Sequence, residues 1–308
     1  MTPSGPVRVR VPATSANLGP AFDCAGLALS RYDVLEFSAL EPGNLQVVMT
    51  GEGADTLPTG AGHLVVRAFR AACDTLDWRP PGLRLVAENA IPQGRGMGSS
   101  AAAVVAGVLG AWALCPDVDL IDRDAVLRLV SEIEGHPDNV AACLLGGATL
   151  SWTTPEGARA RRLEVDPAIQ ATVLVPPGTL STHLARGLLP ELVPHADAAH
   201  AAGRAALLVH ALTRDPALLL DATEDRLHQR QRAAAMPESL ALIDRLRGQG
   251  LAAVVSGAGP SVLVLAAAQE ATTTAVRALT PADWTVLPLE VDLRGARVDR
   301  GTAEVSSR

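Results

Sequence analysis

The sequence predicts an α+β chain of two domains, and three stretches carry that reading. Residues 83–86 form a short apolar strand that runs into a loop with three alternate glycines and then into an alanine-rich helix ending before Pro116. Residues 7–11, Val-Arg-Val-Arg-Val, alternate with period 2, as a strand with one buried face does. In the second half, helices and strands succeed one another: a buried strand at 171–175, a long helix from about 197 to 212, a strand–glycine turn–strand unit at 251–265, a helix at 269–279 and a strand at 284–291. With 308 residues the chain can bury two cores. The charged stretch 152–165, including Arg159, Arg161 and Arg162, reads as loop and puts the boundary near 160, for domains 1–160 and 161–308.

Taken in order, Pro12 ends the first strand, because it lacks an N–H for the ladder. Residues 12–23 are small residues and turn formers, with Asn17 and Asp23 as the strongest hydrogen-bonding groups. Residues 33–40 and 45–49 read as a strand pair joined by the turn Glu41-Pro42-Gly43-Asn44. Apolar residues at 64, 65, 68, 69, 72 and 76 have the spacing of an amphipathic helix, and a second such helix runs over 123–134. It delivers Glu132-Ile133-Glu134-Gly135-His136-Pro137-Asp138-Asn139, which reads as a helix stop at Gly135 and a new start capped by Asp138 or Asn139. Residues beyond 295 read as a loose tail.

Composition excludes several classes. A formal net charge of −7 gives no basic footprint for nucleic acid. No apolar run approaches a membrane span and residues 1–11 have no apolar core of the kind a signal peptide needs, so the expectation is a soluble, cytoplasmic protein. Cys24, Cys73, Cys115 and Cys143 are widely spaced among apolar neighbours and read as free buried thiols. All cationic residues other than histidine are arginines, so every strong cationic contact to a substrate must come from Arg.

The chemistry concentrates in Pro92-Gln93-Gly94-Arg95-Gly96-Met97-Gly98-Ser99-Ser100-Ala101-Ala102. Glycines without Cβ atoms ahead of a helix whose first residues are serines, placed as N-caps, leave backbone N–H groups and the helix dipole free to bind phosphate. A plain connector is the alternative for such a loop. A dinucleotide fingerprint fits less well, because residues 89–92 separate the glycines from the strand and Ser99 takes the third glycine position. A Walker A loop and a protein kinase are excluded, since each needs a lysine and the chain has none.

This loop resembles the Pro-x-x-x-Gly-Leu-Gly-Ser-Ser-Ala loop of the GHMP kinases, with Met97 in place of leucine, a swap that keeps volume and apolarity. The stretch from Pro12 to Asp23 is similar to the amino-terminal signature of the family members that phosphorylate homoserine, departing from it only at Ala21, where they have glycine. Glu134-Gly135-His136-Pro137-Asp138-Asn139, Ser181-Thr182-His183-Leu184-Ala185-Arg186, Asp225-Arg226-Leu227-His228-Gln229-Arg230-Gln231-Arg232 and the turn Gly257-Ala258-Gly259-Pro260 resemble further family segments.

The resemblance implies a two-domain fold, an N-terminal ribosomal-S5-like domain and a C-terminal ferredoxin-like one. It also implies transfer of the γ-phosphoryl of ATP to the side-chain hydroxyl of L-homoserine, a step of threonine biosynthesis. Residues 92–102 would hold the nucleotide phosphates, and Ser100 and Glu134 would hold Mg²⁺, a hard cation suited to oxygen ligands, with Glu132 as the alternative acid. Arg186 and Arg232 would take the amino acid carboxylate. Asp23 would bind the hydroxyl, the ammonium or both, with Asn17, His136, Asn139 and Thr182 as further substrate contacts and Asp23, Asn139 and Arg186 nearest the reacting atoms. An amide is no base, so either Asp23 helps the hydroxyl proton away or the proton passes directly to phosphate. The partners expected are these small molecules alone, with a homodimer left open. A kinase for mevalonate-like or sugar substrates and a non-catalytic sensor on the same scaffold are the rival readings.

Overall fold

The computed structural model describes residues 5–267 and 270–300; Gln269 and the tail beyond Arg300 lie outside the described residues. The chain opens with β1 (Val7–Ala16), β2 (Ala25–Ala39), β3 (Leu45–Gly51), α1 (Leu64–Thr75), β4 (Leu83–Asn89), α2 (Ser99–Leu114), α3 (Arg123–Glu134) and α4 (Asp138–Leu145). It continues through the hairpin β5 (Ala148–Thr154) and β6 (Gly157–Leu163), then β7 (Ile169–Val175), α5 (Thr182–Gly187), α6 (His195–Thr213), α7 (Leu219–Ala222) and α8 (Pro237–Gly248). Last come β8 (Ala252–Val255), β9 (Val262–Ala267), α9 (Glu270–Leu279), β10 (Thr285–Leu289) and β11 (Arg297–Arg300). The architecture is α+β, with a seven-stranded mixed sheet and a four-stranded antiparallel sheet of order β10-β7-β9-β8.

Helix α2 is apolar all round, which a helix can be only in the middle of a core. It packs on α1, β1 and α3, and close approach is made possible where Gly110 meets the ring of Phe37. A second cluster, including Leu242, Ile243 and Leu246 of α8 and Val255, Val262 and Val264 of the β8–β9 pair, supports the smaller sheet.

The sequence reading needs five corrections. Pro12 does not end β1; the strand runs on to Ala16 with a register shift between Pro12 and Ala13, a bulge being where a ladder tolerates proline. Strands β2 and β3 are not a hairpin: β4 lies between them, antiparallel to β2 and parallel to β3, and the turn at Gly43 is tied to Pro81 and Gly82 instead. Residues 152–163 are largely the β5–β6 hairpin, whose Ala158-Arg159-Ala160-Arg161 alternation turns the arginines outward. Ser99 and Ser100 are not caps, since Gly98 is the N-cap residue and no side chain caps the helix. Residues 297–300 are β11, which pairs with β1 and returns the chain end to the large sheet.

Candidate functional site

Two structural units meet at the glycine loop. Thr14 N–H of β1 donates to Met97 O at 3.1 Å, Ser256 Oγ at the end of β8 donates to Gly96 O at 2.6 Å, and Leu180 N–H donates to Gly94 O at 2.9 Å. Arg95 donates from Nε to Pro176 O and from Nη2 to Pro177 O, so its charge is used inside the loop's own support. The backbone turns with φ of +72° at Gly96 and +68° at Gly98, where L side chains are strained. A Cβ on Gly96 would stand 2.2 Å from Ser256 O, and one on Gly98 would stand 1.9 Å from Thr14 Oγ1. These glycines are needed for packing against the protein itself, not only for an approaching phosphate.

The first intrahelical bond of α2 is Ala102 N–H to Gly98 O, so the N–H groups of Ser99, Ser100 and Ala101 have no intrahelical partner. Ser99 and Ser100 line a cavity of about 390 Å³. Gln93, Gly94, Arg95, Gly96, Gly98 and Ser99 line it along the loop, while Pro92, Met97, Ala101 and Ala102 are buried in the core behind. One end is walled by Leu35, Leu57, Pro58, Leu64 and Val65, with Asp33 and His63 among them. His63 Nδ1 is buried there without a hydrogen-bond partner. Asp33, buried, accepts from the N–H groups of Ala90 and Ile91 at 2.7 and 2.9 Å, yet burial still pushes its carboxyl up to about 6.

At the mouth of the helix, Ser100 Oγ donates to Glu134 Oε2 at 2.8 Å. Glu134 lines the cavity, and burial raises its carboxyl above the ordinary range, the Ser100 bond opposing that shift. Glu132, two residues back on α3, is exposed and lies outside the cavity lining. Gly135, with φ of +89°, stops α3 in the left-handed cap that the sequence predicted and lets the chain turn at once into α4. The turn carries His136, Asp138 and Asn139 to the cavity. Asp138, nearly fully buried, takes His136 Nδ1 at 2.9 Å, and that bond raises the histidine pKa. Thr14 Oγ1 donates to Asn139 Oδ1 at 2.8 Å, which fixes that amide with its oxygen towards β1.

The opposite end holds the arginines. Asn17, with φ of +71°, accepts Asp23 N–H on its Oδ1 and donates from Nδ2 to Gly257 O, locking the 17–23 loop to the β8–β9 turn. Asp23 and Arg186 form a two-pronged ion pair, and the guanidiniums of Arg186 and Arg232 both stand over the ring of Phe22, at 5.5 and 5.4 Å from its centre. Arg232 is 1 % exposed. Burial lowers its pKa, and the neighbouring Arg186 lowers it further. Thr182, at the start of α5, lines the cavity beside Arg186.

Of the residues picked from sequence, Asn17, Ser100, Glu134, His136, Asn139, Thr182, Arg186 and Arg232 line one cavity, and Asp23 joins them through Arg186. Thr14, Phe22, Asp33, His63, Asp138 and His228 were not picked. Thr14, Phe22, Asp138 and His228 sat inside segments already singled out and needed only the question of what each side chain touches. Asp33 and His63 carried no local signal, because β2 and α1 read as ordinary core elements.

A helix N-terminus with free donors beside a carboxylate–hydroxyl pair, in a cavity between two sheets, suits a phosphotransferase that binds phosphate groups. Family models agree: "GHMP kinases N terminal domain" matches residues 63–147 and "GHMP kinases C terminal" matches residues 199–283. The chain belongs to the GHMP kinases. Within that family, it is 56% identical to the homoserine kinase of Streptomyces coelicolor over 95% of this chain and 94% of that protein. It is 55% identical to the homoserine kinase of Streptomyces avermitilis over 95% of each. The crystal structure of homoserine kinase from Cytophaga hutchinsonii superposes with a TM-score of 0.85 at 25% identity, covering 97% of this chain and 99% of that one.

Proposed function

We propose that the chain transfers the γ-phosphoryl of ATP to the side-chain hydroxyl of L-homoserine; its relatives carry the name homoserine kinase. The observation that carries the acceptor class is the pair of guanidiniums over Phe22. Arg186 already pairs with Asp23, so the charge left to match is that of buried Arg232 beside it, and a carboxylate matches the guanidinium fork. Asn17 and Asp138 line the same cavity and Asp23 adjoins it through Arg186, and their oxygens are the acceptors proposed for an ammonium.

Phosphoryl transfer asks for positioning and charge neutralisation, since the transition-state charge lies on the phosphoryl oxygens. The unpaired N–H groups of Ser99, Ser100 and Ala101 and the α2 dipole would hold the phosphates. The apolar walls Leu35, Leu57, Pro58 and Val65 suit a nucleobase. Glu134 and Ser100 are hard oxygen donors already in contact, and they fit Mg²⁺; among the described residues no cluster of three or more His, Cys, Asp or Glu side chains offers another metal site. When bound, the cation would add charge neutralisation on the phosphate oxygens.

Asn139 cannot take a proton, and both oxygens of Asp23 already accept from Arg186. We infer that the hydroxyl proton passes to a phosphoryl oxygen, with Asn139 and Asp23 orienting the acceptor. No helix among the described residues is long and apolar enough to cross a membrane, and we place this ATP-consuming step in the cytoplasm. ADP release measured across L-homoserine, L-threonine, mevalonate and galactose tests the assignment. Homoserine should give kcat/KM at least a hundredfold above the others; turnover of mevalonate or galactose in its place would overturn it.

A further inference from the structure

Arg232 is a buried cation at the acceptor end, and its guanidinium is held by contacts that do not come from substrate. Nε donates to Ala185 O at 3.1 Å, and Nη1 stands 3.1 Å from His228 Nδ1. An arginine can only donate, so Nδ1 of His228 must be the acceptor and its proton must sit on Nε2. Nε2 lies 2.8 Å from Gly19 O, which accepts that proton's hydrogen bond. The imidazole is fully buried, lies with its centre 5.1 Å from that of the Phe22 ring at a 35° tilt, and is outside the cavity lining. Its backbone is fixed as well, because Asp225 accepts the N–H groups of Leu227, His228 and Gln229.

We propose that His228 is the positioning residue of the carboxylate clamp: by bridging the Gly19 carbonyl to Arg232 Nη1, it aims the guanidinium that receives the amino acid carboxylate. The inference rests on the function proposed above. It explains why a histidine with no access to substrate sits between the loop that carries Asp23 and the helix turn that carries Arg232, 209 residues apart in sequence. The bridge works only while the ring is uncharged, since a proton on Nδ1 would turn the acceptor into a second donor facing Arg232. Burial holds the His228 pKa down, and the charged groups around it are Asp225 at 3.8 Å, Arg232 and Asp23.

His228→Phe keeps a ring on Phe22 and removes both nitrogens; His228→Asn places an amide oxygen near the lost acceptor. Steady-state kinetics with homoserine at saturating ATP should show KM raised at least tenfold in His228→Phe with kcat within threefold of wild type. ATP affinity by calorimetry should stay within twofold, and His228→Asn should recover at least half of the KM loss on a logarithmic scale. A His228→Phe enzyme with homoserine KM within threefold of wild type overturns the proposal, as do equal losses in the two variants. Nitrogen-15 NMR of histidine-labelled wild-type protein at pH 7.5 gives a readout independent of turnover and of whether His228→Phe folds. His228 should show the Nε2-protonated tautomer, and an Nδ1-protonated ring refutes the bridge. A wild-type enzyme that ignores homoserine but shows this tautomer would sink the proposed substrate and not the bridge.

Discussion

The guanidinium of Arg186 forks onto the carboxylate of Asp23, with Nη1 3.0 Å from Oδ2 and Nη2 2.6 Å from Oδ1. Two residues expected to hold opposite ends of a zwitterion thus hold each other. The pair is about one-third exposed, so its worth lies in orientation more than in stability. Asp23 has φ of +57°, a region asparagine tolerates well, so Asp23→Asn should fold. Because Asp23 is not the base in this account, the variant should raise the homoserine KM at least tenfold and lower kcat by less than tenfold. A general base contributes about 10²- to 10⁴-fold. A kcat loss of that size at unchanged KM, measured at saturating homoserine, would make Asp23 the base.

Glu134→Gln should abolish turnover, since an amide is a poor ligand for a hard dication and Ser100 then lacks its charged partner. Glu132→Gln should change kcat by less than threefold, that residue being exposed and outside the cavity. ADP release at fixed Mg²⁺ compares the two, and equal losses refute the choice of Glu134.

Gly98→Val should raise the ATP KM at least tenfold or eliminate activity, and the reason lies inside the protein. Its Cβ would overlap Thr14 Oγ1 and crowd Asn139 Oδ1. Gly98→Ala carries the same Cβ and should already lose on the order of 1 to 3 kcal/mol of stability for a left-handed residue under strain. Urea unfolding and ATP calorimetry on Gly98→Ala check this; wild-type values in both would remove the packing argument.

Asp33 sets a pH dependence. Its carboxyl titrates near 6 in the folded protein against 3.8 unfolded, so between those values the folded state binds more protons and this group favours folding as pH falls. Asp33→Asn keeps an oxygen for the N–H groups of Ala90 and Ile91 without the charge. The stability of the variant relative to wild type should therefore rise by on the order of 1 kcal/mol between pH 5 and pH 7.5. Parallel stability profiles would contradict the burial argument.

Much of this molecule could be read from local pattern. Helix α3 has the bounds its apolar spacing gave, and the left-handed stop at Gly135 followed from residue type alone. The glycine loop and its helix were equally legible, because φ-restricted residues and hydrophobic runs write themselves into sequence. What was missed is non-local. Nothing in residues 33–51 says that β4 will insert between β2 and β3, and β11 is four residues whose strand partner among the described residues is β1, nearly 300 residues away. The same holds in the site. Asp23 and Arg186 were each visible as candidates, but their pairing is a tertiary fact. Residue type offers Asp138 or Asn139 as a helix cap, whereas the N-cap is Pro137 and Asp138 is buried, which only the tertiary structure shows.

In the proposed function, Arg186 and Arg232 grip the amino acid carboxylate while the glycine loop holds the nucleotide. Removing either arginine leaves a desolvated anion short of a charge-assisted partner, at a cost on the order of 2 to 5 kcal/mol. The most direct measurement is a homoserine titration at saturating ATP, beside an ATP binding isotherm, for Arg186→Leu and Arg232→Leu. The account predicts homoserine kcat/KM down by roughly 30-fold or more in both, at tenfold per 1.36 kcal/mol, with ATP affinity within about twofold. Homoserine kcat/KM within about threefold of wild type in both variants would contradict it.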